Sequence, residues 1–199
     1  MQLDQVLRRR RMTRAFRPDP VPAGTAERVV AAALRAPSAG NTDGWAFVAL
    51  EGPEQTARYW DVSLPAPRRP DFPWPGLLDA PLLVVCLCRP EAWPERYAEP
   101  DKAGTGLGTG TGAWDVPFWW VDTGFAAMLA QLAAIDAGLG VCFFGLFEHE
   151  RAVLGALGVP EGWRAAGTLA VGWPSEDRPS ASAARARAGV DGAPHRGAW

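Results

Sequence analysis

The stretch from Phe125 to Phe147 constrains this chain most, because so long an apolar run has to be buried. It is long enough to span a bilayer, yet Gln131, Asp136 and several glycines interrupt it, and a buried helix followed by a buried strand accounts for it better. Phe125, Met128, Leu129, Leu132 and Ile135 recur at mostly helical spacing. Val121 to Ala137 therefore reads as a central helix, ended by Gly138-Leu139-Gly140, with Val141 to Leu146 as the strand that follows. Trp45 to Leu50 and Leu82 to Cys88 are short apolar runs bounded by turn formers, and Gly167 to Gly172 is a last strand ahead of Trp173-Pro174. Leu3, Val6 and Leu7 mark a helix from about residue 3 to 11, with Asp4 in its first turn. Thr25 is placed to cap a second helix, which Pro37 stops, and Glu150 to Leu157 is a short third one. Helices and strands in this order suit an α/β sandwich.

At 199 residues, with 48% hydrophobic and 21% charged, the chain reads as a single domain, 1–199, with ample material for a core. A formal charge of -2 argues against a non-specific nucleic-acid binder. Two histidines and three cysteines are too few for a zinc site or a disulfide framework, and the cysteines fit a reducing cytosol. The run Arg8 to Arg11 is followed by Arg17-Pro18-Asp19-Pro20 where a twin-arginine signal needs an apolar core, so no targeting segment is expected. Ser63 to Pro75 is too rich in proline for regular structure and reads as a surface loop. The glycine-rich segment 103–112 reads as a flexible lid or as disorder. The tail 175–199 has little apolar content, and burying Trp199 would need another surface, such as a second subunit.

Gly108 to Ala113 matches a dinucleotide-binding pattern formally, but no strand precedes it and no helix follows it directly. Cys86 and Cys88 lie on one face of a strand, where core packing outweighs a redox pair. Arg10, Arg11 and Arg14 are spaced so that two guanidiniums can grip a phosphate dianion, although a solvated basic face explains them equally well. Trp114, Trp119 and Trp120 suit either an aromatic roof over a planar ligand or packing in the core or at an interface. Tyr97, Glu99, Asp101 and Lys102 suit a gate or, more simply, a solvated loop.

Longer stretches go further. Arg10-Arg11-Met12-Thr13-Arg14-Ala15-Phe16, Pro20-Val21-Pro22, and Ala36 to Trp45 together resemble the opening of the nitroreductase family of FMN-dependent oxidoreductases. Asp122 to Gly140 resembles that family's long central helix, Leu169 to Pro174 its last core strand, and Arg185-Ala186-Arg187 with Trp199 its basic tail. The resemblance implies an α+β fold: a mixed, mainly antiparallel sheet between helices, with the C-terminal tail exchanged across a homodimer. It also implies a site. Arg10, with Arg185 or Arg187, would hold the FMN phosphate, and Arg11 and Met12 lie in the same motif. Arg14 would sit near the flavin pyrimidine and stabilise the negative charge that develops on reduction. Pro37, Ser38 and Asn41 would reach the flavin from the other subunit, and the backbone at Phe144 and Gly145 would face flavin N5.

Two positions depart from the family pattern. Met12 stands where a serine is common, and Asp43-Gly44 where Gln-Pro is common. Asp43 is a candidate acceptor for flavin N3–H, although its charge would oppose Arg14. The implied activity is a ping-pong oxidoreductase that takes a hydride from NAD(P)H and passes it to a nitroaromatic, a quinone or a similar small molecule. Two alternatives stand beside it: a protein that sequesters a covered FMN with little turnover, and an enzyme that uses oxygen to modify its substrate or the flavin. Neither nucleic acid nor a membrane is expected as a partner.

Overall fold

The computed structural model describes residues 1–176 and Gly197. Strands β1 (Trp45–Glu51), β2 (Leu82–Cys88), β3 (Gly140–Phe144) and β4 (Arg164–Gly172) form one antiparallel sheet in the order β1-β2-β4-β3. Every residue of β2 is buried, so its alternating side chains enter two different cores. Leu82, Val84 and Cys86 pack towards α1 (Leu3–Arg9), α2 (Thr25–Ala33) and α5 (Phe118–Asp136), meeting Val6, Val29, Ala127 and Ala130. Leu83, Val85 and Leu87 pack towards α3 (Gly52–Ser63) and α6 (Glu150–Ala156), meeting Tyr59, Trp60 and Val153. A smaller cluster joins Cys88 to Trp93 of α4 (Ala92–Tyr97) and to Trp114 and Trp119. This is the expected α/β/α sandwich.

The central helix α5 is apolar on most sides. Its buried alanines, Ala126, Ala127, Ala130 and Ala134, lie in the core shared with α2 and the sheet. Phe125 and Met128 remain 48% and 41% exposed, on a helix long and apolar enough to cross a membrane. Half of its most apolar window, 50%, is buried against the rest of the chain, as befits a core helix.

Several local expectations are corrected. Helix α1 stops at Arg9 and not near residue 11, because the amides beyond it serve the sheet: Thr13 N–H donates to the Val141 carbonyl at 2.9 Å. Met12 bridges Val141 in parallel, and this bridge is the parallel component of the otherwise antiparallel arrangement among the described residues. Thr25 lies inside α2, its hydroxyl donating to Pro22 O at 2.6 Å, while Gly24 takes the N-cap position. Strand β3 ends at Phe144 and β4 begins at Arg164. The segment Ser63 to Pro75, read as irregular, contains a 3-10 stretch over Ala66–Asp71, with another at Pro75–Leu77. The glycine-rich segment is written as consecutive 3-10 turns, and the carbonyl of Leu107 there accepts from Trp114 Nε1 at 3.0 Å. The exchanged tail, with Arg185, Arg187 and Trp199, lies outside the described residues.

Cys86, Cys88 and Cys142 are all free and buried. Burial pushes the Cys86 thiol up to about 12, and the Cys88 thiol likewise, so neither forms thiolate at neutral pH. The native protein is therefore expected to be inert towards a thiol-disulfide reagent such as DTNB, and to titrate three thiols once unfolded. Rapid labelling of the native protein would contradict this packing.

Candidate functional site

The first residues to reach the site come from the segment that leaves α1. It is gripped at both ends, by β3 at Thr13 and, through Arg17 N–H donating to Trp173 O at 2.9 Å and Ser175 N–H donating to Ala15 O at 3.0 Å, by the exit of β4. Held extended, it presents successive side chains to opposite sides. Thr13 is buried against Gly140, whereas Arg14 reaches the Trp74 ring, its guanidinium carbon 5.1 Å from the ring centroid. Met12 turns its thioether inward, and Phe143 N–H donates to its Sδ at 3.5 Å.

Arg14 lines a cavity of about 440 Å³ together with Phe144 and Gly145 at the end of β3. Its other walls are mostly aromatic: Trp60 and Phe144 stack with rings 8° from parallel, and Tyr59 meets both edge-on. Tyr59 accepts from the Thr168 hydroxyl at 3.0 Å, and burial pushes its phenol up to about 12, so it stays neutral. Gly145 brings no side chain to this wall, and the Phe147 ring lies over it. A Cβ there would meet the ring of Phe147 at 3.2 Å and no backbone.

The remaining expected residues lie elsewhere. Arg10 is half-buried and Arg11 exposed on the connector after α1, and among the described residues neither joins an ion pair. Pro37, Ser38, Asn41 and Asp43 belong to the turn before β1. The strand order explains the separation. The start of β1 and the end of β3 lie at the same end of the sheet but on opposite edges, three strand spacings or roughly 14 Å apart. Within one chain these two groups of expected residues therefore do not meet.

That turn is held firmly by residues the sequence reading missed. Ala39 N–H donates to Asp122 Oδ2 at 2.9 Å, and the same oxygen accepts from Trp93 Nε1 at 2.8 Å. Arg96 Nε donates to the Gly40 carbonyl at 2.9 Å, while its terminal nitrogens pair with Asp101. Gly40 has φ 67° and packs so tightly that a Cβ would lie 2.6 Å from the Tyr97 ring. Only glycine fits there. Ser38 Oγ donates to Thr42 O at 2.8 Å, and Asn41 is left exposed at φ 54°. Asp122 is 2% exposed, and its one visible signal was an acid in the first half of an apolar helix.

Tyr97 and Asp101, considered as a gate, thus brace the turn, with the Lys102 ammonium over the Tyr97 ring at 5.7 Å. The tryptophans divide similarly. Trp114 and Trp119 are core residues, 9% exposed each, and Trp114 meets Tyr97 edge-on with centroids 4.8 Å apart. This is the packing alternative and not a roof on the cavity described above. Trp120 is half-buried beneath Arg164, whose guanidinium pairs with Glu150 at 2.8 and 3.0 Å. The Arg164 contact holds the Glu150 carboxyl below the usual carboxylate range, helped by the Ala165 N–H.

The sequence pattern of the nitroreductase family matches residues 7–173, and the chain belongs to that family. It is 30% identical over 190 residues, 89% of this chain and 84% of the relative, to a 5,6-dimethylbenzimidazole synthase of Rhodospirillum rubrum. Among solved structures, a nitroreductase of Exiguobacterium sibiricum in complex with FMN superposes with a TM-score of 0.71 at 15% identity, over 90% of this chain and 92% of that one. A BluB-like flavoprotein of Clostridium difficile superposes with a TM-score of 0.66 at 20% identity, over 90% and 93%. These structural likenesses establish the fold.

Two predictions follow from the geometry. Asp122→Ala leaves two buried donors unpaired and should lower unfolding stability by about 2–4 kcal/mol, with Asp122→Asn costing less, as read by urea denaturation. The Glu150 carboxyl is lowered in the folded state. Its contribution to stability is therefore present above the unfolded carboxyl value and is lost as pH falls below about 4. Glu150→Gln should flatten that part of the stability–pH curve.

Proposed function

We propose that the protein is an FMN-dependent oxidoreductase that takes electrons from NAD(P)H and delivers them to a nitroaromatic, quinone or similar acceptor in a ping-pong cycle. The observation that carries this reading is a single cavity that joins the Arg14 cation, the main chain at Gly145, which has no side chain of its own, and aromatic walls. Those are the requirements of a planar cofactor that gains negative charge. Bound FMN would supply the hydride chemistry, so that a nitro group, NAD(P)H and a proton give a nitroso group, NAD(P)⁺ and water.

The chain's own residues bind and tune. Arg14 would stabilise charge at the pyrimidine edge, Phe144 and Gly145 would offer main chain to the ring, and Arg10 with Arg185 or Arg187 would hold the phosphate. Pro37, Ser38 and Asn41, the half-site on the far edge of the sheet, would serve the cofactor of a second copy. A homodimer would also cover Phe125 and Met128, which one chain leaves exposed. Buried free thiols suit a reducing, cytosolic compartment.

The Rhodospirillum rubrum relative favours a second reading, synthesis of 5,6-dimethylbenzimidazole. One experiment ranks the two. An absorption band near 450 nm in the purified protein, bleached anaerobically by NADPH or NADH and restored by a nitroaromatic or quinone, is the outcome expected of a reductase. Release of 5,6-dimethylbenzimidazole after aeration would support the synthase, and a band that yields only to dithionite would mark a sequestering protein. No flavin after reconstitution would sink the cofactor assignment. Replacing Arg10 and Arg187 together with alanine should weaken FMN retention on gel filtration by about a hundredfold or more.

A further inference from the structure

The cavity of about 440 Å³ that holds Arg14 and Gly145 also has Arg68 and Phe147 in its lining, and the cofactor reading uses neither. Arg14 and Arg68 line it, His149 lines it with its Nε2 3.4 Å from the Glu148 carboxylate, and no aspartate or glutamate is in the lining among the described residues. The neighbouring arginines Arg68 and Arg69 differ sharply. Arg69 is committed to the fold, donating to Leu64 O at 3.0 Å and to Asp61 at 2.7 Å. Arg68 is exposed, lines the cavity, and makes no ion pair among the described residues.

Phe147 supplies an independent observation. Its ring is 88% exposed, and its φ of 46° lies in a region that bulky residues avoid. Strain of this kind gathers at ligand clamps. The backbone holds an apolar ring at the edge of the cavity, against Gly145, where water is its main neighbour.

We infer that the part of the cavity at Arg68 and Phe147 is the acceptor subsite and that it selects planar aromatic molecules bearing an anionic substituent. Phe147 is the stacking platform and Arg68 the residue that reads the charge. The inference rests on the oxidoreductase reading of the same cavity and adds to it the class of acceptor.

The test is calorimetric titration of the purified protein, with the flavin it retains, using 4-nitrobenzoate and the neutral 4-nitrobenzyl alcohol. The wild type should bind the anion about fivefold more tightly than the alcohol, a preference that Arg68→Glu reverses and Arg68→Lys keeps. Phe147→Ala should weaken both probes about fivefold, because stacking ignores charge. Arg68 is exposed, so its variants leave the core untouched, and far-UV circular dichroism checks this. Equal affinities in the wild type, or a preference that survives Arg68→Glu, overturn the inference. A flavin that no nicotinamide bleaches instead overturns the oxidoreductase reading, whatever the titrations give.

Discussion

The structure depends on a strand that has no outside. Every side chain of β2 is buried, so both faces of the sheet must be covered, and the helices divide between them accordingly. Its neighbours inherit the constraint: β1 and β4 flank it, and β3 is left at the far edge beside β4. That edge needs capping, and the segment after α1 provides it through Met12 and Thr13. The segment that caps the sheet is also the one that carries Arg14 into the cavity. Fold and site share the same hydrogen bonds.

The second organising interaction is the Asp122 carboxylate. A buried charge is tolerated where hydrogen bonds compensate it, and here two donors from separate parts of the chain converge on one oxygen. Trp93 and Ala39 are thereby tied to α5. Arg96 grips the Gly40 carbonyl, so the turn before β1 is held by an acidic side chain at one peptide group and a basic one at another. A turn set in this way can display Asn41 in a conformation that it would not hold alone.

Much of this was legible in the sequence. The runs of β1 and β2 and the alanine-rich helix α5 declare themselves because burial on most sides leaves unbroken apolar stretches. Helix α3 did not, since Thr56, Tyr59 and Trp60 are its buried residues and polar side chains surround them. Helix α4 was hidden by Pro94, which the first turn tolerates because its missing N–H has no partner there to lose. The arginine cluster and the glycine at the end of β3 were visible as motifs, and the resemblance attached roles to them. The cavity was not visible, because it joins residues 59–77 to residues 142–149, and no local pattern encodes a meeting of that kind. Trp114 and Trp119 were open to two readings, since large rings near a glycine run suit a ligand or a core, and their surroundings bury them.

The walls at the outer end of the cavity come from the stretch between α3 and β2, where two short 3-10 stretches replace longer elements. Arg68 is exposed there, while Phe72 and Trp74 are half-buried against the core that holds Tyr59 and Trp60. The sheet and the turn braced by Asp122 have no comparable freedom. Under selection, an exposed position such as Arg68 can therefore change while the sheet stays as it is, and homologues with near-identical cores can differ in the charge of this wall.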